Sequence, residues 1–390
     1  MIGAIEIMKT VCNQNRCTGC LACINVCPKA AISINDSLDA YNAVIDQNKC
    51  INCSLCEKVC PVINIRDLKS PIYWKQGWAE DEIRKNSSSG GAASAIIRTF
   101  IYMGGYVASC LFKNGEFRFT VTNDIDEAKK FAGSKYVKSN PASIYKEIKK
   151  LLTEGQKVLF IGLPCQSAAV QNVCGEQEKL YTADLICHGT PSPKILKQFI
   201  DECGLKWSDI SDIKFRESDS FGLESNGIRL APSQIHDSYT RAFLRGLDYT
   251  ENCYSCRYAT LNRVSDITLG DAWGQLSDTQ KDGVSLILCQ TQKGIELVEK
   301  AGLHIEEVDL EKAVNANNQL KHPSKMHPGR SKFFKGLGKG YTVNRTVAFV
   351  FPKESIKQSI KMYLIKMHII KDPHQTGGGY QITIYFSNRN

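Results

Sequence analysis

Two stretches decide how this chain is read: Cys17-Thr18-Gly19-Cys20-Leu21-Ala22-Cys23-Ile24-Asn25-Val26-Cys27-Pro28 and Cys50-Ile51-Asn52-Cys53-Ser54-Leu55-Cys56-Glu57-Lys58-Val59-Cys60-Pro61. Both follow C-x2-C-x2-C-x3-C-P, the bacterial spacing for a [4Fe–4S] cluster. A cubane needs four thiolates around a compact core, and three close cysteines on one loop supply three of its corners. The fourth, just ahead of a proline, is aimed at the other cluster. The spacing therefore predicts crossed ligand sets: Cys17, Cys20, Cys23 and Cys60 for one cluster, Cys50, Cys53, Cys56 and Cys27 for the other. Structural zinc and disulfides are the alternatives. Zinc favours paired C-x2-C arms over triplets, and eight thiols in this register rarely arise by chance. Short apolar, β-prone runs at 30–34 and 43–45 flank the turn-rich 35–39, giving two pseudo-repeats of loop, short helix and strand. This stretch moves electrons.

The rest of the composition fits that reading. A chain of 390 residues has room for two or three domains. Its 43 % apolar and 23 % charged content is that of a folded globular protein, so disorder is not expected. Glu6 interrupts the apolar run at 1–10, so no signal peptide is read there, and 17 cysteines then point to metal ligation in a reducing cytoplasm. No apolar run is long enough for a spanning helix; the nearest, 92–112, carries Arg98 and Gly104-Gly105. The net charge of +9 is uneven. From Lys321 onward thirteen Lys and Arg face only Glu354 and Asp372, which is +11 and leaves −2 for everything before. Only the tail is basic, which argues against a nucleic-acid partner.

After a boundary at Lys69-Ser70-Pro71, strands and helices alternate. Strands are expected at 72–79, 105–112, 117–121, 157–161, 182–187, 266–269, 284–290 and 304–308. Helices are expected at 92–103, 125–131, 143–152, 192–202 and 293–301. This pattern predicts an α/β domain with a mixed sheet, following an α+β N-terminal unit of two-cluster bacterial ferredoxin type. Residues 353–371 place Ile356, Ile360 and Tyr363 among lysines; a solvated docking helix is favoured over one lying on acidic lipid. A last strand is expected at 380–386.

Several turns sit where ligands bind, just past strand ends. Asn86 to Gly91, with Ser88, Ser89 and Gly90 at its centre, opens a helix and offers backbone N–H groups to an anion, although a plain helix start explains it as well. Gly162-Leu163-Pro164-Cys165 follows a strand, and a helix N-terminus lowers a thiol pKa. Cys187-His188 follows the next strand, and Cys253-Tyr254-Ser255-Cys256 forms a knuckle. Alone that knuckle fits zinc, a redox pair or half a cluster. With Cys165 it supplies three ligands of a possible third cluster, the fourth being Cys187 or, less usually, His188 or Asp271. Cys12, Cys110, Cys174, Cys203 and Cys289 read as small buried hydrophobes.

Six motifs in order, Ser87–Gly91 with its helix, Gly133–Tyr136, 158–166, 184–193, 253–257 and 265–274, resemble the coenzyme F-420 hydrogenase/dehydrogenase beta-subunit family. The resemblance runs from about residue 73 to 334 and implies FAD beside the clusters. It also implies electron exchange with a deazaflavin, a chlorophyll-type pigment or another acceptor, and in similar bacterial members a link to polysaccharide biosynthesis. On this reading residues 1–70 are a two-[4Fe–4S] domain, 71–334 the FAD domain and 335–390 a basic extension. A flavin belongs between one-electron clusters and a two-electron acceptor. The turn at Ser88, Ser89, Gly90 and Gly91 is then the flavin phosphate site, with Lys135 a partner of the phosphate or ring. The expected protein is a cytoplasmic oxidoreductase with a protein or reduced-cofactor electron partner and a small-molecule substrate. The basic tail is at most a peripheral membrane contact. A pure electron-transfer subunit and a non-redox zinc-binding docking protein are the competing readings.

Overall fold

The computed structural model describes residues 9–217, 220–232, 235–274, 282–367 and 369. Its N-terminal unit repeats itself in backbone torsions. Gly19 (φ 73°) and Leu21 (φ 60°) in the first cysteine loop correspond to Asn52 (φ 53°) and Ser54 (φ 55°) in the second. Left-handed residues at alternate positions coil each loop and turn its N–H groups toward one concavity. The short helices Ala22–Val26 and Leu55–Val59 follow, and each ends on a cysteine in extended conformation, Cys27 and Cys60. The proline after each forces that conformation by clashing with a helical neighbour. β1 (Ile32–Asp36) and β2 (Tyr41–Ile45) pair antiparallel beneath the loops.

The second domain is built from β3 (Tyr73–Trp78), β4 (Tyr106–Lys113), β5 (Glu116–Thr122), β6 (Val158–Gly162), β7 (Leu180–Leu185), β8 (Ile213–Glu217), β9 (Ser220–Ser225), β10 (Ile228–Arg229), β11 (Ile267–Asp271), β12 (Ser285–Cys289) and β13 (His304–Glu306). Eight of these form one mixed sheet in the order β13-β3-β12-β11-β7-β6-β4-β5. Its centre, β4, β6, β7 and β11, is parallel, and its edges are antiparallel. β6 is buried at every position, as a central parallel strand covered on both faces must be. Helices Ala92–Tyr102 and Gln292–Lys300 cover one face through Ile96, Phe100, Leu297 and Val298. Helices Ile144–Thr153 and Pro164–Cys174 cover the other through Ile144, Ile148, Ala169 and Val170, in a cluster that also takes in Cys20, Ala22 and Val59 of the N-terminal unit. Each such fully buried aliphatic side chain contributes roughly 1.5–3 kcal/mol of transfer free energy.

The small antiparallel sheet β10-β9-β8 is absent from the expectations above. Its strands are short, and a register shift between Lys214 and Arg216 breaks the alternation of β8. Packing also continues across the boundary expected at 334: Phe333, Leu337, Val343 and Val347 join Ile195, Phe199 and Tyr239 in one core. Helix Pro352–Lys366 then docks on Ala231 and Ile235 through Met362 and Ile365, leaving Ile356, Ile360 and Tyr363 exposed. The strand expected at 380–386 lies outside the described residues. Among the described residues no helix is long and apolar enough to cross a membrane.

Candidate functional site

The eight N-terminal thiols fall into two groups in space, and the groups exchange a member. Cys17, Cys20, Cys23 and Cys60 are all buried and interact electrostatically with one another. Backbone N–H groups aim at their sulfurs: Gly19 at Cys17, Ala22 at Cys20, Ile24 at Cys23, Val62 and Ile63 at Cys60. Such donors stabilise anionic sulfur, the form that ligates metal. Cys27 instead lines a cavity of about 360 Å³ with Cys50, Cys53 and Cys56. This second group is the wetter one, with Cys53 exposed and the other three half-buried.

A third group lies at the sheet's C-terminal edge. Cys165 sits in the first turn of helix Pro164–Cys174, straight after β6, and Cys187 follows β7. Cys253 lies in the 3-10 segment Glu251–Ser255 and Cys256 directly after it. All four line one cavity of about 760 Å³, part of it open to solvent. Around Cys253 stand Thr250 Oγ1 at 3.7 Å, Thr190 Oγ1 at 3.9 Å and Asn252 Nδ2 at 3.6 Å. Burial pushes the Cys187 thiol up to about 12 and holds Cys165 well above the ordinary thiol range. The helix N-terminus expected to acidify Cys165 is outweighed by desolvation. A buried thiol of this kind ionises only when a cation arrives to share its charge. Among the described residues no three His, Cys, Asp or Glu side chains converge as a single metal ion would require. Four thiols around one cavity are the donor set of a zinc site or of an iron–sulfur cluster. Asp271 is not among the cavity's lining residues: Arg216 holds it bidentately at 2.7 and 2.8 Å.

The first and third groups share a wall. Arg16, Thr18, Pro61 and Val62 of the N-terminal unit line the same cavity as Cys165 and Cys256. Arg16 donates to Ser255, Tyr258 Oη donates to the Pro61 carbonyl at 2.7 Å, and Tyr145 Oη donates to the Cys20 carbonyl at 2.5 Å. On the opposite side His188 lines the cavity and interacts with Asp271 and Arg216; burial keeps its imidazole below the ordinary pKa.

Arg216 leads into a cleft of about 2810 Å³, open solvent included, bounded by Arg84, Ser88, Ile97, Lys135 and Phe215. The cavity itself is about 1170 Å³, just above the ~300–1,000 Å³ of ordinary ligand pockets, so a dinucleotide has room in it. Of the residues expected to hold flavin, Ser88 and Lys135 line the cleft, while Ser89, Gly90 and Gly91 do not. Ser89 donates to the Val284 carbonyl. A Cβ on Gly90 would lie 2.5 Å from Gly77 O and 2.6 Å from Ser285 N, so this glycine admits strand backbone where a phosphate was expected. Gly91, at φ 81°, is the left-handed N-cap of helix Ala92–Tyr102. Ser88 Oγ accepts from Ser134 N–H at 2.8 Å. Lys135 Nζ donates to the carbonyls of Phe131, Ala132 and Gly133, and burial lowers its pKa to about 8.

Several residues at the site carried no sequence signal. Cys12, expected as a spectator hydrophobe, is buried and interacts electrostatically with both Cys17 and Cys60. Lys138, Tyr258 and Arg216 are singled out by no sequence spacing, although Tyr258 lies two places after Cys256 and Lys138 two places after Tyr136.

Residues 155–313 match the family model for the C-terminal part of the coenzyme F420 hydrogenase/dehydrogenase beta subunit, and residues 16–64 match the 4Fe-4S dicluster domain. A chain in a solved structure of the F420-reducing [NiFe] hydrogenase complex from Methanosarcina barkeri is 20 % identical, with a TM-score of 0.46 over 71 % of this chain and 98 % of that one. No curated protein sequence matches the chain. The fold and the thiol groups define an iron–sulfur protein of an oxidoreductase family. Residues 155–313 carry the C-terminal domain of the F420 hydrogenase/dehydrogenase beta-subunit family, behind an N-terminal 4Fe-4S dicluster domain.

Proposed function

We propose that this chain is an iron–sulfur flavoprotein that relays electrons between an external redox partner and a small-molecule or deazaflavin-like acceptor. Cys27, Cys50, Cys53 and Cys56 would hold an outer [4Fe–4S] cluster, Cys17, Cys20, Cys23 and Cys60 an inner one, and Cys165, Cys187, Cys253 and Cys256 a third. Ser88 and Lys135 would hold FAD in the cleft, where the flavin supplies conversion between one- and two-electron exchange.

One observation carries the reading. The third thiol cavity is walled by the inner group's own neighbours, Thr18 and Pro61, and contains His188, which interacts with Arg216 at the cleft. Three redox sites and a cleft thus lie in series, with the wettest thiols at the outer end. The protein's part is electrostatic and positional: N–H donors hold the sulfurs, burial keeps water from the Cys17 group, and Arg216 with Asp271 fixes the cleft's inner end. The second domain therefore offers a site for turnover of its own, which favours an enzyme over a chain that only conducts. No residue of the cleft supports the polysaccharide link expected from the resemblance.

The test is anaerobic. The full chain, purified without oxygen, is expected to carry three clusters' worth of iron and one FAD. In Cys253→Ala, the N-terminal clusters should still be reduced by a low-potential donor, while flavin reduction slows by at least tenfold. Flavin reduction at the wild-type rate in that variant, or zinc in place of iron at the third group, would overturn the relay.

A further inference from the structure

Lys138 is only 6 % exposed, and it lies where the first and third thiol groups meet. Its Nζ donates to the Thr18 carbonyl at 3.0 Å and to Thr190 Oγ1 at 3.1 Å. Thr18 stands between Cys17 and Cys20, and Thr190 Oγ1 is 3.9 Å from Cys253 Sγ. One ammonium therefore bridges two sets of metal-binding thiols. Its stem runs past Gly19, where a Cβ would lie 3.2 Å from Lys138 Cδ, and its Nζ sits 5.1 Å from the Tyr41 ring centre. None of the ion pairs among the described residues includes it.

A buried ammonium without a carboxylate is costly unless negative charge lies close by. Here the negative charge nearby is sulfur. Lys138 favours the ionised thiols of Cys17, Cys165 and Cys187, which come from both groups. A thiolate-ligated cluster is anionic and gains one more negative charge on reduction, so a fixed cation beside it favours the reduced state.

We infer that Lys138 is a positioning residue for electron transfer, raising the potentials of the two clusters it separates and holding them close enough for exchange. The exchange is a single electron: one site is oxidised by one, its neighbour reduced by one, and Lys138 neither gains nor loses a proton. The electron originates in the external donor of the proposed relay. The inference rests on that reading for the third group and on the dicluster domain alone for the first.

The experiment is an EPR-monitored redox titration of the full chain, purified anaerobically, as wild type, Lys138→Met, Lys138→Gln and Lys138→Arg. In the Met and Gln variants the Cys17-group cluster should become at least tenfold harder to reduce, a downward shift of about 59 mV for a one-electron couple. The third cluster should shift in the same direction. The Cys50-group cluster should stay in place as an internal reference, and Arg should restore the wild-type values. If the wild type holds iron for two clusters only, the third-cluster reading fails by itself, and the Cys17-group midpoint still decides the role of Lys138. An unchanged Cys17-group midpoint in either neutral variant with full iron content overturns the inference, as does an equal shift of every cluster. Should Met lose iron through misfolding, Gln, which keeps a hydrogen-bond donor, decides the question.

Discussion

Tyr258 donates its hydroxyl hydrogen to the Pro61 carbonyl at 2.7 Å, joining the residue two places after Cys256 to the residue directly after Cys60. Both partners are buried, so the bond is a fixed strut between the dicluster domain and the third thiol group. Tyr258→Phe removes the donor and leaves the acceptor dry. The expected cost is about 1–3 kcal/mol in unfolding free energy, with iron content unchanged. Stopped-flow reduction should also show slower electron arrival at the third group. Wild-type stability in chemical denaturation would mean that the strut is not formed in solution.

Cys27 is the fourth cysteine of the first motif yet lines the cavity of the second group. Cys27→Ser should therefore damage the cluster of Cys50, Cys53 and Cys56 and spare that of Cys17, Cys20 and Cys23. Iron and sulfide analysis with EPR reads this directly. Damage confined to the Cys17 group would rule out the crossed arrangement.

Lys135 provides a pH signature for the cleft. Its pKa is lowered to about 8 by burial, so it is a cation below that value and neutral above it. Binding of an anionic phosphate to the flavin-free protein should then weaken as pH rises through about 8, and Lys135→Met should bind weakly at all pH values. The linkage to stability has the opposite sign. Between about 8 and the unfolded value near 10.4 the unfolded chain holds the extra proton, so folding stability rises with pH in that window. Isothermal titration from pH 7 to 9.5 checks the first effect and pH-dependent denaturation the second. Phosphate affinity equally flat in wild type and variant would remove Lys135 from the site.

Gly90 separates a structural requirement from a binding one. Because its missing Cβ faces Gly77 O and Ser285 N, Gly90→Val should destabilise the pairing of β3 with β12. A loss of more than about 3 kcal/mol is expected, typical of severe overpacking against backbone. Ser88→Ala, in contrast, should lower bound FAD with little change in melting temperature. Normal melting of Gly90→Val with specific flavin loss would return the phosphate site to the glycine turn.

The parts legible in sequence are those whose chemistry repeats at short range. The eight N-terminal cysteines announce themselves through spacing, and so do strands such as β6, whose Val-Leu-Phe-Ile run has no polar interruption. In the third group Cys253 and Cys256 show as a C-x2-C knuckle and Cys165 and Cys187 only as turns at strand ends, since Cys165 and Cys256 are 91 positions apart and meet through sheet topology. Lys138 gives no signal because a buried lysine and an exposed one look alike in sequence. Ser89 and Gly90 are ambiguous for a related reason: a Ser-Gly turn serves a phosphate or a neighbouring strand equally well, and the strand contact of Gly90 with Ser285 has no trace in the sequence. β8 does carry a strand-like alternation at Ile213-Lys214-Phe215-Arg216, but β8 to β10 are short and a register shift between Lys214 and Arg216 breaks the pattern.

The unequal wetting of the thiol groups also sets an order of decay. Cys53 is open to solvent, whereas Cys17, Cys20, Cys23 and Cys60 are each no more than 8 % exposed. In the proposed relay, oxygen and peroxide would reach the cluster held by Cys53 first, so ageing in air should bleach the protein in stages. The earliest damaged form would keep its interior cofactors but lose its contact with the outside, a wire cut at the plug.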